Sequence, residues 1–162
     1  MPDFDKLFLT ERSVKYKNTT IFRTDYISFV NGDKFLVIFE KTNSEWTQGM
    51  YLYAYGFFDI EGRKYKDKIV LWENTAPKQM IFTLLEETTK RYRAKGLPKR
   101  GILGIKNVWE IKSLTGYPCI DSGHHGAAMI VEEIENGRRY RCNDGHPDDN
   151  FDDIVFTIQK IS

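Results

Sequence analysis

Strand-like runs of β-branched and aromatic residues, separated by turn residues, recur along most of the chain. The clearest is the run 50–55, where apolar and tyrosine positions alternate without exception. Because successive side chains of a strand point to opposite faces, Tyr51, Tyr53 and Tyr55 share one face. The remaining runs are 19–22, 26–30, 35–39, 69–72, 127–134, 138–142 and 154–158. This succession predicts a mainly β protein.

Asn-Gly pairs mark two of the turns between these runs. Asn-Gly accepts the positive φ angles of a type I′ turn, so it is a strong short-range signal for a β-hairpin. Asn31-Gly32 therefore predicts a hairpin between the runs that precede and follow it, and Asn136-Gly137 predicts a second hairpin near the C-terminus. The run 35–39 is apolar at every position, which predicts that both of its faces are buried.

The segment 77–94 carries signals for both a helix and a strand. Pro77 follows capping side chains, and basic residues precede a stretch with Gly and Pro, a pattern typical of a helix start and end. The run 80–85 also resembles a buried strand. We favour the helix. The sequence thus predicts a single domain over 1–162, an antiparallel β-sandwich with at most one helix.

Composition supports a folded domain and excludes several classes of protein. Of the 162 residues, 41% are hydrophobic and 14% aromatic, and 24 basic against 23 acidic residues leave a net charge of +1. A chain this hydrophobic with so little net charge is not disordered. Its surface is not basic throughout, so we do not expect nucleic acid as a partner.

The start of the chain and its cysteines indicate a cytoplasmic protein. The first residues are polar and acidic, unlike the basic and apolar start of an export signal. No apolar run approaches the roughly 20 residues of a membrane-spanning helix, so we expect no membrane span. In that compartment Cys119 and Cys142 are expected to be reduced thiols, with a disulfide between them as the alternative.

The loop 143–153 contains five aspartates and no basic residue. Asp148, Asn150 and Asp152 alternate as D-x-N-x-D, the spacing of oxygen ligands in the first half of a calcium loop. Together with Asp144 they form a candidate Ca²⁺ site. The alternative is that the aspartates cap turns and fix the start of the last strand.

The stretch 148–156 resembles the acid-rich signature before the last strand of certain bacterial β-sandwich domains. Those domains are mostly secreted and are thought to bind calcium. The resemblance covers about nine residues. It implies a β-sandwich with Ca²⁺ bound at this loop. No named activity comes with the resemblance.

All three histidines lie in the last quarter of the chain, close in sequence to the acidic loop. His124 and His125 belong to the polar loop 121–125, whereas His146 lies in 143–153. Surface loops often present binding side chains, so the three histidines are candidate ligand-binding residues. Their spacing matches no structural zinc motif, and adjacent side chains on an extended segment point in opposite directions.

Glu110 and Lys112 share one face of an apolar run. This pattern is similar to the E-x-K half of the PD-(D/E)xK nuclease family, which implies a glutamate that holds Mg²⁺ and a lysine that orients water. The upstream aspartate of that family is missing between Lys68 and Trp109. A charge pattern on a solvated strand face is the alternative.

Two further features concern contact with ligands. The segment 88–109 has no acidic residue and contains seven basic ones, Lys90, Arg91, Arg93, Lys95, Lys99, Arg100 and Lys106. It could contact phosphate, although a solvated face is the simpler interpretation. The tyrosines of the run 50–55 could form a platform for sugar rings or bases. The arrangement we expect for them instead is packing in the core or under a loop.

The sequence therefore predicts a non-catalytic binding module of unknown ligand, with a divalent cation at the acidic loop. Its functional loops are expected to be 121–125 and 143–153, which flank the second hairpin and could meet at one end of the sheet. The competing hypothesis is a metal-dependent hydrolase, a phosphodiesterase or nuclease, that uses the aspartates and histidines of these loops. The chain contains no nucleophile elbow, P-loop or dinucleotide fingerprint.

Overall fold

A computed structural model describes residues 8, 13–87, 101–112, 118–122, 127–145 and 150–161. These residues form strands, turns and irregular segments, and no helix is present in those ranges. The strands are β1 (Ser13–Tyr16), β2 (Thr19–Phe22), β3 (Asp25–Phe29), β4 (Lys34–Thr42), β5 (Thr47–Ile60), β6 (Arg63–Trp72), β7 (Gln79–Glu86), β8 (Gly101–Lys112), β9 (Pro118–Asp121), β10 (Ala128–Ile134), β11 (Gly137–Asn143) and β12 (Ile154–Lys160). The prediction of a mainly β protein is confirmed.

All twelve strands belong to one hydrogen-bonded, antiparallel sheet. The pairing order is β1-β2-β10-β11-β12-β4-β7-β5-β8-β3, with β6 on the second edge of β5 and β9 on β8. The strands β4 and β12 pair although more than a hundred residues separate them along the chain. Within the described ranges no helix is long and apolar enough to cross a membrane.

Side chains from one face of most of these strands pack together in the hydrophobic core. Met50 and Leu52 of β5 are fully buried, and they belong to the same cluster as Phe82 of β7, Leu103 of β8 and Phe156 of β12. A smaller cluster around Ile21, Ala128 and Phe151 lies beside β2 and β10. The buried positions alternate along Phe35–Phe39 of β4 and most of β5, as expected where one face of a sheet is covered, whereas five consecutive residues of β12 are buried.

A buried polar contact joins β3 to β11, which are not neighbours in the pairing order. The Asp25 carboxylate accepts hydrogen bonds from the Tyr140 hydroxyl at 2.7 Å and from Nη1 of Arg138 at 2.8 Å. Burial, followed by the charge of Asp25, raises the pKa of Tyr140 above its usual range, so this phenol stays neutral. The contact satisfies a carboxylate that would otherwise be costly to bury.

The second predicted hairpin is confirmed, and the first is wrong. Asn136 has a φ of 59° between β10 and β11, which pair along their whole length. Gly32 also has a positive φ, 93°, but β3 pairs with β8, and β4 pairs with β7 and β12. The turn itself forms, because the Asp33 carboxylate accepts a hydrogen bond from the Val30 amide, but backbone hydrogen bonds of Gly32 and Asp33 join it to Leu84 of β7.

The helix predicted over 77–94 is also wrong. Residues Gln79–Glu86 form β7, which lies between β4 and β5, and 88–94 fall outside the described residues. Its strand neighbours supply hydrogen bonds on both edges and bury Phe82 and Leu84 completely. Tertiary pairing therefore outweighs the local helix signals.

The prediction of two buried faces for 35–39 holds for one face only. Phe35, Val37 and Phe39 are buried, whereas Leu36 and Ile38 are half-buried. This strand lies in the interior of the sheet, but one of its faces is partly open to solvent. An uninterrupted apolar run therefore did not indicate two covered faces here.

A bulge in β5 lies where the pairing of this strand changes from β8 to β7, and Tyr55 is exposed there. Tyr53 pairs with Lys68 and Phe57 pairs with Lys66, so three residues of β5 oppose one residue of β6. Asp67 has a φ of 68° at this point. Bulged residues are displaced from regular pairing, and Tyr55, inside the bulge, is 69% exposed.

Candidate functional site

The described part of the acidic loop turns inward. Asp144 is fully buried, and its Oδ2 accepts hydrogen bonds from Oγ of Ser44 at 2.5 Å and from Nε2 of Gln48 at 3.0 Å. Its amide donates to Oδ2 of Asp153 at 2.9 Å. Asn143 is buried as well, and its Oδ1 accepts a hydrogen bond from the Phe151 amide. The bonds from Ser44 and Gln48 attach the loop to the segment before β5 and to the start of β5. The other two bonds lie within the loop.

The remaining members of the candidate Ca²⁺ site are arranged differently. Asn150 is exposed, and Asp148 lies outside the described residues. Asp152 is half-buried: Oδ2 accepts a hydrogen bond from Nδ2 of Asn43 at 3.0 Å, whereas Oδ1 is shielded from solvent and accepts none. Among the residues that the structure describes, no three His, Cys, Asp or Glu side chains are grouped to hold a metal ion.

The predicted histidine site cannot be located in the fold, because His124, His125 and His146 lie outside the described residues. The described residues shortly before them, Asp121 and Gly145, lie beside Trp109 of β8. Asp121, at the start of one loop, pairs with Trp109 in register. Gly145 of the other loop lies so close to the indole that an added Cβ would be 3.2 Å from its Cζ2. The start of each loop therefore lies beside the same residue.

Glu110 and Asp121, two of the acidic residues considered for catalysis, lie in the described ranges. Glu110 is half-buried on β8, which is a strand as predicted. Oδ1 of Asp121 accepts a hydrogen bond from the Ser122 amide at 2.8 Å. Cys142 is a buried free thiol whose pKa is raised by desolvation, so it is not activated as a nucleophile.

A different group of residues, on the outer face of β3, β8 and β5, presents rings to solvent. We call Tyr26, Tyr51, Tyr53 and Tyr55 the tyrosine face. Tyr26 is 37% exposed, Tyr51 and Tyr53 are half-buried, and Tyr55 is the most exposed of the four. We expected the tyrosines of β5 to pack in the core or under a loop, and packing in the core is therefore wrong. Their neighbours Met50, Leu52 and Ala54 occupy the core instead.

Contacts between the rings give the tyrosine face a defined shape. The ring centroids of Tyr51 and Tyr53 are 5.6 Å apart with planes at 56°, and those of Tyr26 and Tyr53 are 6.4 Å apart and nearly perpendicular. The hydroxyls of Tyr26 and Tyr53 lie 3.3 Å apart, within hydrogen-bond distance. Such edge-to-face pairs are favourable for aromatic rings and hold each ring in a set orientation.

Gly104 makes room for this arrangement. It pairs with Tyr26 on one side and with Tyr53 on the other, so all three share a face of the sheet. The Tyr53 ring lies directly over it, and an added Cβ would be 2.2 Å from the ring carbon Cζ. A glycine inside an apolar strand signals such a close approach. Neither Gly104 nor Tyr26 was among the residues predicted to form a site.

Two lysines lie beside the tyrosine face. Nζ of Lys106 lies 4.9 Å from the centroid of the Tyr51 ring, a cation–π contact. Lys68 is directly across from Tyr53 on β6 and is exposed. Burial, followed by the hydrogen bond with Tyr26, raises the pKa of Tyr53 above its usual range. The Tyr53 phenol is therefore neutral near pH 7 and carries no charge that would oppose the lysines.

No protein-family model, curated protein or solved structure matches this chain. The interpretation of both regions therefore depends on their geometry. The acidic loop is held by internal hydrogen bonds where it is described, whereas the tyrosine face presents organised aromatic rings and lysines to solvent.

Proposed function

We propose that this protein is a non-catalytic binding module that holds its ligand against the tyrosine face. The observation that carries the proposal is the set of solvent-accessible rings on β3 and β5, with the Tyr53 ring over Gly104 of the intervening β8. Strand positions are rigid, so a ligand would meet rings that are already oriented.

Tyrosine suits such a surface for physical reasons. It offers a large, partly apolar contact area and loses little conformational entropy on binding, because only two side-chain torsions need to be fixed. The ring contacts of Tyr53 with Tyr26 and Tyr51 reduce that loss further. A tyrosine that served as a general base or nucleophile would need a lowered pKa, whereas the pKa of Tyr53 is raised.

The proposal is tested with three immobilised probes: a single-stranded oligonucleotide, a sulfated polysaccharide and a neutral polysaccharide. Wild type is compared with the double variant Tyr51→Ala, Tyr53→Ala, and Tyr65→Ala is the control because Tyr65 pairs with the buried Phe58 on the other face. We expect wild type and the control to retain one probe and the double variant to release it. Retention of that probe by the double variant, or no retention by wild type, would overturn the proposal.

The same experiment separates binding from hydrolysis. Each probe is incubated with the protein and Mg²⁺, Mn²⁺ or Zn²⁺, and its mass is then measured. A binding module returns every probe unchanged. Metal-dependent shortening that His124→Ala or Asp148→Asn abolishes would instead identify a hydrolase that uses the loops 121–125 and 143–153.

A divalent cation at the acidic loop is a second proposal, with Ca²⁺ as the ion and Asp144, Asp148, Asn150 and Asp152 as its ligands. The observation that favours it is Oδ1 of Asp152, a carboxylate oxygen that is shielded from solvent and accepts no hydrogen bond from the part of the chain that the structure describes. Buried carboxylate oxygens without a donor are costly, and a cation would satisfy this one. Thermal melting with Ca²⁺ tests the proposal, as described below.

A further inference from the structure

We infer that the ligand of the tyrosine face is single-stranded nucleic acid, an inference that rests on the proposed function. Binding sites for single strands combine aromatic rings, on which successive bases stack, with positive charges along the backbone path. Both components are present on one face of this sheet. The net charge of +1 disfavours a basic surface overall, but it does not limit a local patch.

Strand pairing places lysines on the same side of the sheet as the tyrosines. Side chains directly across an antiparallel pair share a face, so Lys68 lies on the side of Tyr53, and Lys106 on the side of Tyr51. Beyond the bulge, Lys66 is across from Phe57, which faces away from the core. The rings of β5 therefore lie between Lys106 of β8 and the lysines of β6.

These two nearest lysines are not neutralised by carboxylates. Neither Lys68 nor Lys106 forms a salt bridge with any of the described residues, whereas Lys66 is 4.0 Å from Glu87. Lysines that flank rings without acidic partners attract an anion that also carries flat apolar faces. A neutral polysaccharide offers the flat faces but not the charge.

Base stacking on these rings requires a single strand. In a duplex the base faces are covered by their neighbours, so only an unpaired strand can lay bases on Tyr51, Tyr53 and Tyr26. Tyr53 contacts Tyr26 across β8 and Tyr51 two positions along β5, which gives three neighbouring rings, one on β3 and two on β5. Sequence preference is expected to be weak, because every base has a face to stack.

The test is fluorescence anisotropy with a labelled oligothymidylate of about 15 nucleotides, the upper range of a single-strand site. Stacking is removed in Tyr51→Ala, Tyr53→Ala, and charge is removed in Lys68→Gln, Lys106→Gln. The matched controls are Tyr65→Ala and Lys41→Gln, both exposed positions away from the tyrosine face. Melting curves establish that each variant is folded.

We expect the tyrosine variant to weaken binding about thirtyfold or more, since each stacked base contributes on the order of tenfold. The lysine variant should make the slope of log K against log salt less negative by about 1.4, because each phosphate contact contributes roughly 0.7 for single strands. Both controls should match wild type, and duplex DNA of the same length should bind more weakly.

Each outcome decides the inference. The inference is overturned if Tyr51→Ala, Tyr53→Ala binds the oligonucleotide as tightly as wild type. It is also overturned if Lys68→Gln, Lys106→Gln leaves the salt slope unchanged. Retention of the sulfated polysaccharide at the tyrosine face without oligonucleotide binding overturns the nucleic-acid inference but leaves the binding function standing. If neither anionic probe nor the neutral polysaccharide binds, the proposed function and this inference fail together.

Discussion

The acidic loop and the tyrosine face contain the residues that the sequence marked most clearly, and the structure treats the two in opposite ways. Asp144 of the loop is buried and accepts two hydrogen bonds, so it connects distant segments of the chain. Tyr51 and Tyr53, expected in the core, face outward beside Lys106 and Lys68. A conspicuous polar residue is therefore structural here, and a conspicuous aromatic set is accessible to ligands.

The sharpest test of this contrast is Asp144→Ala. Removing the carboxylate leaves the donors of Ser44 and Gln48 without their acceptor in a buried site, which we expect to cost about 3 kcal/mol or more in the free energy of unfolding. Asp144→Asn is the control, because it retains one acceptor oxygen and should lose less. Urea denaturation measures both, and a loss below about 1 kcal/mol for Asp144→Ala would contradict a structural role.

Calcium gives the next largest effect if the acidic loop binds a cation. At 100 times Kd, ligand binding to the folded state stabilises by about 2.7 kcal/mol, which raises Tm by several degrees in a chain of this size. The double change Asp148→Asn, Asp152→Asn should remove the shift. A wild-type melt that does not respond to millimolar Ca²⁺, with the double variant less stable, would assign both aspartates to turns alone.

The buried Tyr140 provides the next test, through the pH dependence of the free energy of unfolding. The pKa of Tyr140 is raised, so the unfolded chain releases this proton near pH 10 while the folded protein keeps it. Stability is therefore fully present below pH 10, and above it decreases by up to about 1.4 kcal/mol per pH unit for this group until the folded pKa is passed. Tyr140→Phe should make the loss of stability between pH 10 and 11 less steep. An unchanged pH dependence would contradict the assignment.

Gly104→Ala tests whether the tyrosine face is as closely built as its geometry indicates. The new Cβ would meet the Tyr53 ring, and we expect a cost of about 1–2 kcal/mol. In the background Tyr53→Ala the same substitution should cost at least about 0.5 kcal/mol less, because the clashing ring is absent. Additive effects in this double-mutant cycle, measured by denaturation, would show that Tyr53 does not lie over Gly104.

The smallest effect is expected at Tyr55. Its side chain is 69% exposed in the bulge of β5, so Tyr55→Ala should change the free energy of unfolding by less than about 0.5 kcal/mol. Tyr140→Ala, a buried counterpart, should be far more damaging. A large loss of stability in Tyr55→Ala would mean that this ring packs against the protein and is not available to a ligand.

Local signals were sufficient where neighbours in sequence are also neighbours in space. The hairpin at Asn136-Gly137 is one example, because β10 and β11 pair directly across the turn. The same signal at Asn31-Gly32 failed, since β3 and β4 each found partners far along the chain. A turn type fixes the local backbone, but long-range pairing decides which strands become neighbours.

The candidate sites follow the same division. Sequence spacing indicated that the aspartates of the acidic loop could be ligands, but it carried no information about Ser44 and Gln48, which are a hundred and 96 positions from Asp144. Nor did it relate Tyr26 to Tyr53, which meet only because both pair with Gly104 of β8.

By itself, the sequence determined the mainly β character of the chain, the second hairpin and the division of β5 into two faces. Only the tertiary structure decided which of those faces is covered. Alternation is symmetric, because both Met50-Leu52-Ala54 and the tyrosines can be buried at similar gain in apolar area. The other strands of the core pack against Met50 and Leu52 and so decide which face is covered. Tyr51, Tyr53 and Tyr55 are left on the face beside solvent and lysine.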